Sequence, residues 1–317
     1  MRNTSLITVP RAAVAWCTVA WCAVAALILG QWAASARASE LRPTKEFADV
    51  AAAVNRHVEK FGAEHVLLVL DIDNTIMAMN QDLGSDHWFE WQNYLLQHEP
   101  ASPFLVADNF PGLLEVQGIL YNHSHMHPPE ANQPALVARL QERGVSTIIL
   151  TSRGPEYRVA TERELKRCGY DIAATALRVR DVPGGSYLAY DPDDPDEDGL
   201  TADEIKTFEL NGPRPVSYEN GIFMTAGQHK GMMLLTLLHH AKRDIQAIVY
   251  VDDNVRHVGN VFSAAVDRDL EVSSFHYQHE EVRVQRFQYG DKGDVTRRWQ
   301  QLRDTIHAVF DEPVLTP

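Results

Sequence analysis

Asp71-Ile72-Asp73-Asn74-Thr75 stands directly behind the apolar run Val66-Leu67-Leu68-Val69-Leu70. A short run of β-branched and leucine residues predicts a buried strand. Open α/β sheets place their ligand crevice at the carboxyl ends of such strands. Two carboxylates two residues apart at that place repel each other unless a cation or phosphoryl chemistry uses them. Asp71 and Asp73 are therefore candidate site residues on spacing and context alone.

Three further polar segments extend the constellation. The apolar stretch 146–150 ends in Thr151-Ser152-Arg153, the stretch 247–251 ends in Asp252-Asp253, and Lys230 opens the helical segment before the latter. In a parallel sheet these ends share one edge. Carboxylates, a hydroxyl and an ammonium on one edge suit Mg²⁺ and a phosphoryl group, because hard divalent cations take carboxylate oxygens. On this reading Asp71 attacks phosphorus. Asp73 protonates the leaving alkoxide and later deprotonates the attacking water. Thr151 and Lys230 hold the equatorial oxygens, where transition-state charge sits. Ser152 and Arg153 are candidates for substrate contact, with a helix-start turn and an ion pair to an acid as their respective alternative roles.

The segments DIDNT, LTSR, HKG and VDDN match, in order, the four motifs of the haloacid dehalogenase (HAD) superfamily, which this chain resembles over roughly residues 64–275. The resemblance implies a Rossmann-like core and an aspartyl-phosphate route. It makes Asp71 the nucleophile, Asp73 the acid/base, and Thr151 and Lys230 the phosphoryl binders. Asp71, the Asp73 carbonyl and Asp252 would ligate Mg²⁺, with Asp253 in support. The dehalogenase branch lacks the second aspartate, so Asp73 implies the phosphotransfer branch. LGSDHWFEWQ and HKGMML add a likeness to a little-characterised family of secreted bacterial proteins in that superfamily. LTSR and VDDN are also similar to its exported acid phosphatases. None of this names a substrate.

Several elements must position these groups. Phe47, Val50, Ala51, Val54, Val58 and Phe61 recur at helical spacing, with Gly62 as a stop. A helix to Arg143, a strand 145–150 and a helix 155–168 follow Pro134. A helix from Lys230 to Lys242 and a strand 245–251 come later, then an edge-type strand over 271–277 and a closing helix over 293–309. Leu177–Val182, Ser186–Tyr190 and Gly221–Thr225 read as short strand-like pieces. Alternating strands and helices predict an α/β fold: a Rossmann-like parallel sheet with helices on both faces. The expected divisions are a signal peptide at 1–38, the start of the core at 39–81, an aromatic-rich inserted cap at 82–130 and the rest of the core at 131–317. A β-rich acidic insertion falls near 183–220.

Arg2 and Arg11 precede nineteen uncharged residues from Ala12 to Gly30, and Ala36-Arg37-Ala38 follows as a small-x-small cleavage pattern. The expectation is export with Ser39 as the new N-terminus. The rival is a retained anchor, since such a run nearly spans a bilayer of about 30 Å. Cleavage removes three arginines and no acid, taking a formal charge of −14 further negative. That argues against nucleic acid or an anionic membrane as the main partner; the partner expected from the phosphoryl reading of the site is a small phosphorylated substrate. Two of the three cysteines leave with the signal, so Cys168 has no internal disulfide partner.

Other motifs carry competing readings. His123, His125 and His127 alternate and would share a face of an extended segment, as Zn²⁺ or Cu²⁺ ligands or as a solvated cap loop. Asp194, Asp196, Asp198 and Gly199 open like a calcium loop. Glu204 falls one place early for the bidentate acid, so a shortened Ca²⁺ site and an acidic surface turn both stand. Trp88 and Trp91 share a helix face and suit cap packing as well as substrate stacking. The function expected is an exported, Mg²⁺-dependent phosphomonoester hydrolase. The alternative is a catalytically inactive HAD-like binding protein of the cell envelope.

Overall fold

A computed structural model of the chain describes residues 39–180 and 182–310. The expected signal peptide therefore lies outside the described residues. The strands are β1 Glu40–Thr44, β2 Val66–Leu70, β3 Ala78–Met79, β4 Met126–His127, β5 Ser146–Thr151, β6 Ser217–Glu219, β7 Ile222–Met224, β8 Ala247–Asp252 and β9 Glu271–Tyr277. Seven of them form one sheet in the order β1-β9-β8-β2-β5-β7-β6. All neighbours in it run parallel except the β6–β7 hairpin. The fold is α/β, with a mostly parallel, Rossmann-like central sheet.

The VLLVL sequence of β2 is buried on both sides because both faces of the sheet are covered. Val66, Leu68 and Leu70 join one core with Phe47, Val50 and Val54 of helix Phe47–Phe61 and Val137 of helix Gln133–Glu142. Leu67 and Val69 join a second core with Met233, Leu234 and Leu237 of helix Lys230–Ala241 and Val261 of helix Val255–Asp267. Each of these aliphatic side chains contributes about 1.5–3 kcal/mol by burial. A continuous apolar run is the pattern of a central parallel strand.

Register then places the site. Leu70 pairs with Val251 of β8 and with Ile149 of β5, so Asp71, Asp252 and Thr151 leave the sheet at the same edge. The Asp71 amide donates to the Val251 carbonyl at 3.0 Å, carrying the ladder one residue past the strand.

Two expectations change. The strand over 271–277 is interior rather than an edge, because β1 pairs outside it. β1 reads ELRPT, polar and interrupted by Pro43, which an edge strand tolerates and a central one does not. Leu177–Arg180 and Ser186–Tyr190 form no strand; Tyr187 makes only an isolated bridge to Val216. The strands of this region are β6 and β7, joined through Asn220 and Gly221 at φ 53° and 77°. Left-handed backbone at both turn residues is what a tight hairpin asks of an Asn-Gly pair.

The segment after the first motif is helical, with Asp86–His98 and Phe110–His123. β3 and β4 pair antiparallel at its base, Met79 opposite Met126, and bring the chain back to the sheet. Its core is a third cluster: Leu83, Trp88, Leu113 and Val116 pack with Phe287, Val295 and Trp299 of helices Glu281–Tyr289 and Gly293–Phe310. Trp88 is thus a packing residue. Trp91 stacks edge-on to Phe287 with centroids 6.0 Å apart.

Gly231 explains why a glycine follows Lys230. A Cβ there would stand 2.4 Å from the Asn260 carbonyl oxygen and 2.9 Å from the Ala264 Cβ. Helix Lys230–Ala241 therefore starts pressed against helix Val255–Asp267. Gly231→Ala is expected to destabilise the protein by ~1–3 kcal/mol through overpacking, read as a lower urea midpoint with an unchanged slope.

Candidate active site

Lys230 lies at the first turn of its helix, after His229, whose ring Nδ1 accepts from the Met232 amide. Its ammonium is buried between two strand ends, 1% exposed, and donates to Asp71 Oδ1 at 2.5 Å and to Asp252 Oδ2 at 2.7 Å. Tyr250 also donates to Asp252 Oδ2, and the Asn254 amide donates to its Oδ1 at 2.7 Å. Asp253 sits alongside, held by Asn74 Nδ2 at 3.0 Å. Asn74 adopts φ 54°, a left-handed conformation that asparagine tolerates better than most residues.

Thr75 is a functional position that sequence reasoning left unassigned. Fully buried, it donates to Asp71 Oδ2 at 3.3 Å and accepts from the Asp253 amide at 3.0 Å, so one hydroxyl ties the two carboxylate loops together. Its place in the DIDNT segment was the available signal. Asp86, at the start of the first inserted helix, is a second omission: its carboxyl lies near enough to Asp73, Asp71 and Asp252 to feel their charge.

Thr151 ends β5, buried, with its Oγ1 accepting from the Arg153 amide at 3.2 Å. Thr225 donates twice to its carbonyl. The Ser152 hydroxyl is buried without a protein partner. Arg153 takes the ion-pair role, and its partner is Asp73: Nε donates at 2.9 Å and Nη2 at 2.7 Å, a bidentate clamp. Nη1 reaches Thr161 at 2.9 Å, and the guanidinium lies 4.1 Å from the centre of the Tyr121 ring.

Electrostatics follow from this crowding. Burial, then the neighbouring Asp252 and Asp73, raise Asp71 from 3.8 to about 7 against the pull of Lys230. Burial, Asp86, Asp252 and Asp71 hold Asp253 well above the usual carboxylate range. Asp86 is raised well above it by burial and by Glu90, Asp73, Asp71 and Asp252. Asp252 is the exception: burial would raise it, but Lys230 and its hydrogen bonds outweigh that and lower it. Burial lowers the Lys230 preference for charge, yet Asp252 and Asp71 more than reverse this. The site holds more buried carboxylate than its cations neutralise.

Asp71, Asp252 and Asp253 each offer an oxygen within 4.8 Å of the others, the one such group of acids, histidines or cysteines among the described residues. An all-carboxylate donor set with surplus negative charge fits a hard divalent cation. Asp73 is not a member of that group; its carboxylate faces Arg153. The calcium expectation is not met in shape: residues 195–198 form a 3-10 turn. Asp198 turns to His240 at 3.0 Å and to the Asp191 amide at 2.9 Å, so Asp194, Asp196 and Asp198 form no ligand group. The histidine triplet is likewise dispersed. His125 faces Glu164 at 3.6 Å, His127 bonds Asn80 at 2.8 Å, and His123 ends a helix. Cys168 is half-buried beside the Met126 carbonyl, and burial pushes its thiol up to about 11.

An α/β protein with a carboxylate-lysine cluster at one sheet edge is thus defined. The chain belongs to the family described as "Protein of unknown function (DUF2608)", which matches residues 43–310. Among curated proteins none matches the chain, and no solved structure does.

Proposed function

We propose that the protein is an exported, Mg²⁺-dependent phosphomonoester hydrolase of the HAD type. The observation that carries this reading is the Lys230 ammonium bridging Asp71 and Asp252 at the ends of adjacent strands, with Asp253 alongside. Asp71 and Asp252, supported by Asp253, would hold Mg²⁺, which when bound supplies charge neutralisation for phosphate oxygens. In the first step an Asp71 oxygen bonds to phosphorus and the ester P–O bond breaks, its electron pair leaving with the alkoxide, which takes up a proton. In the second, water bonds to phosphorus, the acyl-phosphate bond breaks and the Asp71 carboxylate is restored, the proton passing to Asp73. Lys230 keeps its ammonium on Asp71 throughout. A proton on Asp73 costs one of its two Arg153 hydrogen bonds, so proton donation to the alkoxide requires that clamp to loosen. The unpartnered Ser152 hydroxyl and Thr151 are the groups left for the phosphoryl oxygens.

The test is phosphate release from a panel of monoesters with Mg²⁺, together with trapping of an acid-stable, hydroxylamine-sensitive phosphoprotein. Release without such an adduct, or neither, overturns the reading; the second result favours an inactive binding protein of the envelope. Export is tested by sequencing the mature N-terminus, expected at Ser39; Met1 supports an anchor instead. Among the described residues no helix is long and apolar enough to cross a membrane.

A pH dependence follows from the raised Asp71. Its folded value near 7 exceeds the ordinary 3.8, so the stability it contributes is present below 3.8 and lost as pH rises through about 7. His257 works the other way, since burial, then Lys230, lower it to about 4, and its contribution is lost as pH falls from 6.5 toward 4. His57, His87 and His229 are lowered by burial as well, so the carboxylate effect is isolated by comparing the parent with Asp71→Asn. Metal-free parent protein is therefore expected to lose more stability than metal-free Asp71→Asn between pH 6.5 and pH 8. Mg²⁺ should raise the melting temperature more at pH 8, where a hundredfold excess over Kd stabilises by ~2.7 kcal/mol. Calorimetry at the two pH values checks this; an equal Mg²⁺ effect at both sinks it.

A further inference from the structure

Beside the carboxylate site lies a cavity of about 720 Å³, within the ~300–1,000 Å³ of small-molecule sites. Asp73, Ser152 and Arg153 belong to both, so the cavity opens from the place where a phosphoryl group would sit. Its remaining wall is apolar over most of its area but also carries Asp86, Gln117, Glu156 and Arg214, and it comes from the inserted helices, the loop after β5 and the segments at Pro215 and Ala226. Phe89 and Phe110 meet edge to face with centroids 6.1 Å apart, and Tyr121 meets Tyr157 the same way at 5.2 Å. The Tyr157 hydroxyl donates to the Leu114 carbonyl at 2.8 Å, which fixes that ring as part of the wall. Phe110 is left 47% exposed although it lines the cavity.

A sugar ring lying against Phe89, Phe110 and Leu114 would set hydroxyls on side chains that offer no hydrogen bond, at the cost of unsatisfied polar groups. A flat ring would instead cover those side chains and find edge-to-face or stacked contacts. We propose that the cavity receives the organic part of the phosphorylated ligand and that this part is a flat, apolar ring, an inference that rests on the phosphatase reading for its phosphate end. The ring would lie against Phe89, Phe110 and Tyr157.

The experiment titrates benzylphosphonate and ethylphosphonate, which have no ester bond to hydrolyse, into the full chain with Mg²⁺. Benzylphosphonate is expected to bind at least ~10-fold tighter, the discrimination an apolar pocket gives a larger apolar group. Phe110→Ala, at a half-exposed position outside the buried cores, should cut that advantage to about threefold or less. Equal affinities, or no binding of either, overturn the proposal. Benzyl and ethyl phosphate both leave as alkoxides, so their relative kcat/KM reports the ring rather than intrinsic reactivity. Equal turnover of the two keeps the phosphatase and overturns the ring preference. Preferential benzylphosphonate binding with no turnover of either ester supports the cavity assignment and overturns the phosphatase.

Discussion

Asp71→Asn is expected to abolish phosphate release, by ~10⁴-fold or more, while leaving the protein folded. The substitution removes the nucleophilic oxygen and leaves a side chain of the same shape, and single losses of a covalent nucleophile cost this much elsewhere. The fold should not suffer. Burial, then repulsion from Asp252 and Asp73, is what lifts Asp71 toward 7. A neutral amide relieves it, so metal-free Asp71→Asn should melt no lower than the parent and should lose the decline in stability above pH 6.5. It should bind Mg²⁺ more weakly, having lost one of three charged ligands. Parallel measurements of turnover, melting temperature and Mg²⁺ affinity separate these effects. Retained turnover would show that the ester is not split through Asp71. A collapse in stability would show that the carboxylate is structural.

The part of this site written in local sequence was legible; the part made by long-range pairing was not. VLLVL before DIDNT, the apolar run before Thr151 and the run before Asp252-Asp253 announce central strands because a strand buried on both faces has no polar positions to spare. Once those strands are parallel neighbours, the meeting of Asp71, Asp252 and Lys230 follows. β1 escaped notice because an edge strand can be polar and carry Pro43. With it went the position of β9, which only β1 makes interior. The clamp between Arg153 and Asp73 joins residues eighty apart, and nothing in either segment's periodicity distinguishes it from substrate contact. The same holds for the inserted helices, whose core is completed by Phe287, Val295 and Trp299 from the far end of the chain. At the acidic loop the spacing left a shortened Ca²⁺ site and a surface turn both open. Asp194, Asp196 and Asp198 have the spacing of a calcium loop, but a short 3-10 turn and the His240 contact send Asp198 elsewhere. Spacing proposes ligands; only convergence gathers them.

Lys230→Met should be the most destabilising substitution in the site. Methionine fills nearly the same volume at a buried helix start, so little packing is lost. What is lost is the one cation shared by Asp71 and Asp252, both almost fully buried. Removing one member of a buried charge pair costs ~3–5 kcal/mol, because the remaining charge has no compensation. At ~2–4 °C per kcal/mol for a chain of this size class, that is a fall of roughly 6–20 °C in melting temperature. Tyr250 and the Asn254 amide still hold Asp252, which keeps the loss below that of a bare buried ion. Three readouts distinguish a catalytic-site lysine from an ordinary buried one. Mg²⁺ should recover part of the lost stability, since it neutralises the same carboxylates. Turnover with Mg²⁺ at a temperature where the variant is folded should still be ~10²–10³-fold lower, the cost of a missing charge-stabilising donor. In the double variant with Asp71→Asn, the change in stability should depart from the sum of the two single changes by ~0.5–3 kcal/mol, as for residues in direct contact. Strict additivity, or a stable variant with normal turnover, would remove Lys230 from the site and with it the bridge on which the proposed chemistry stands.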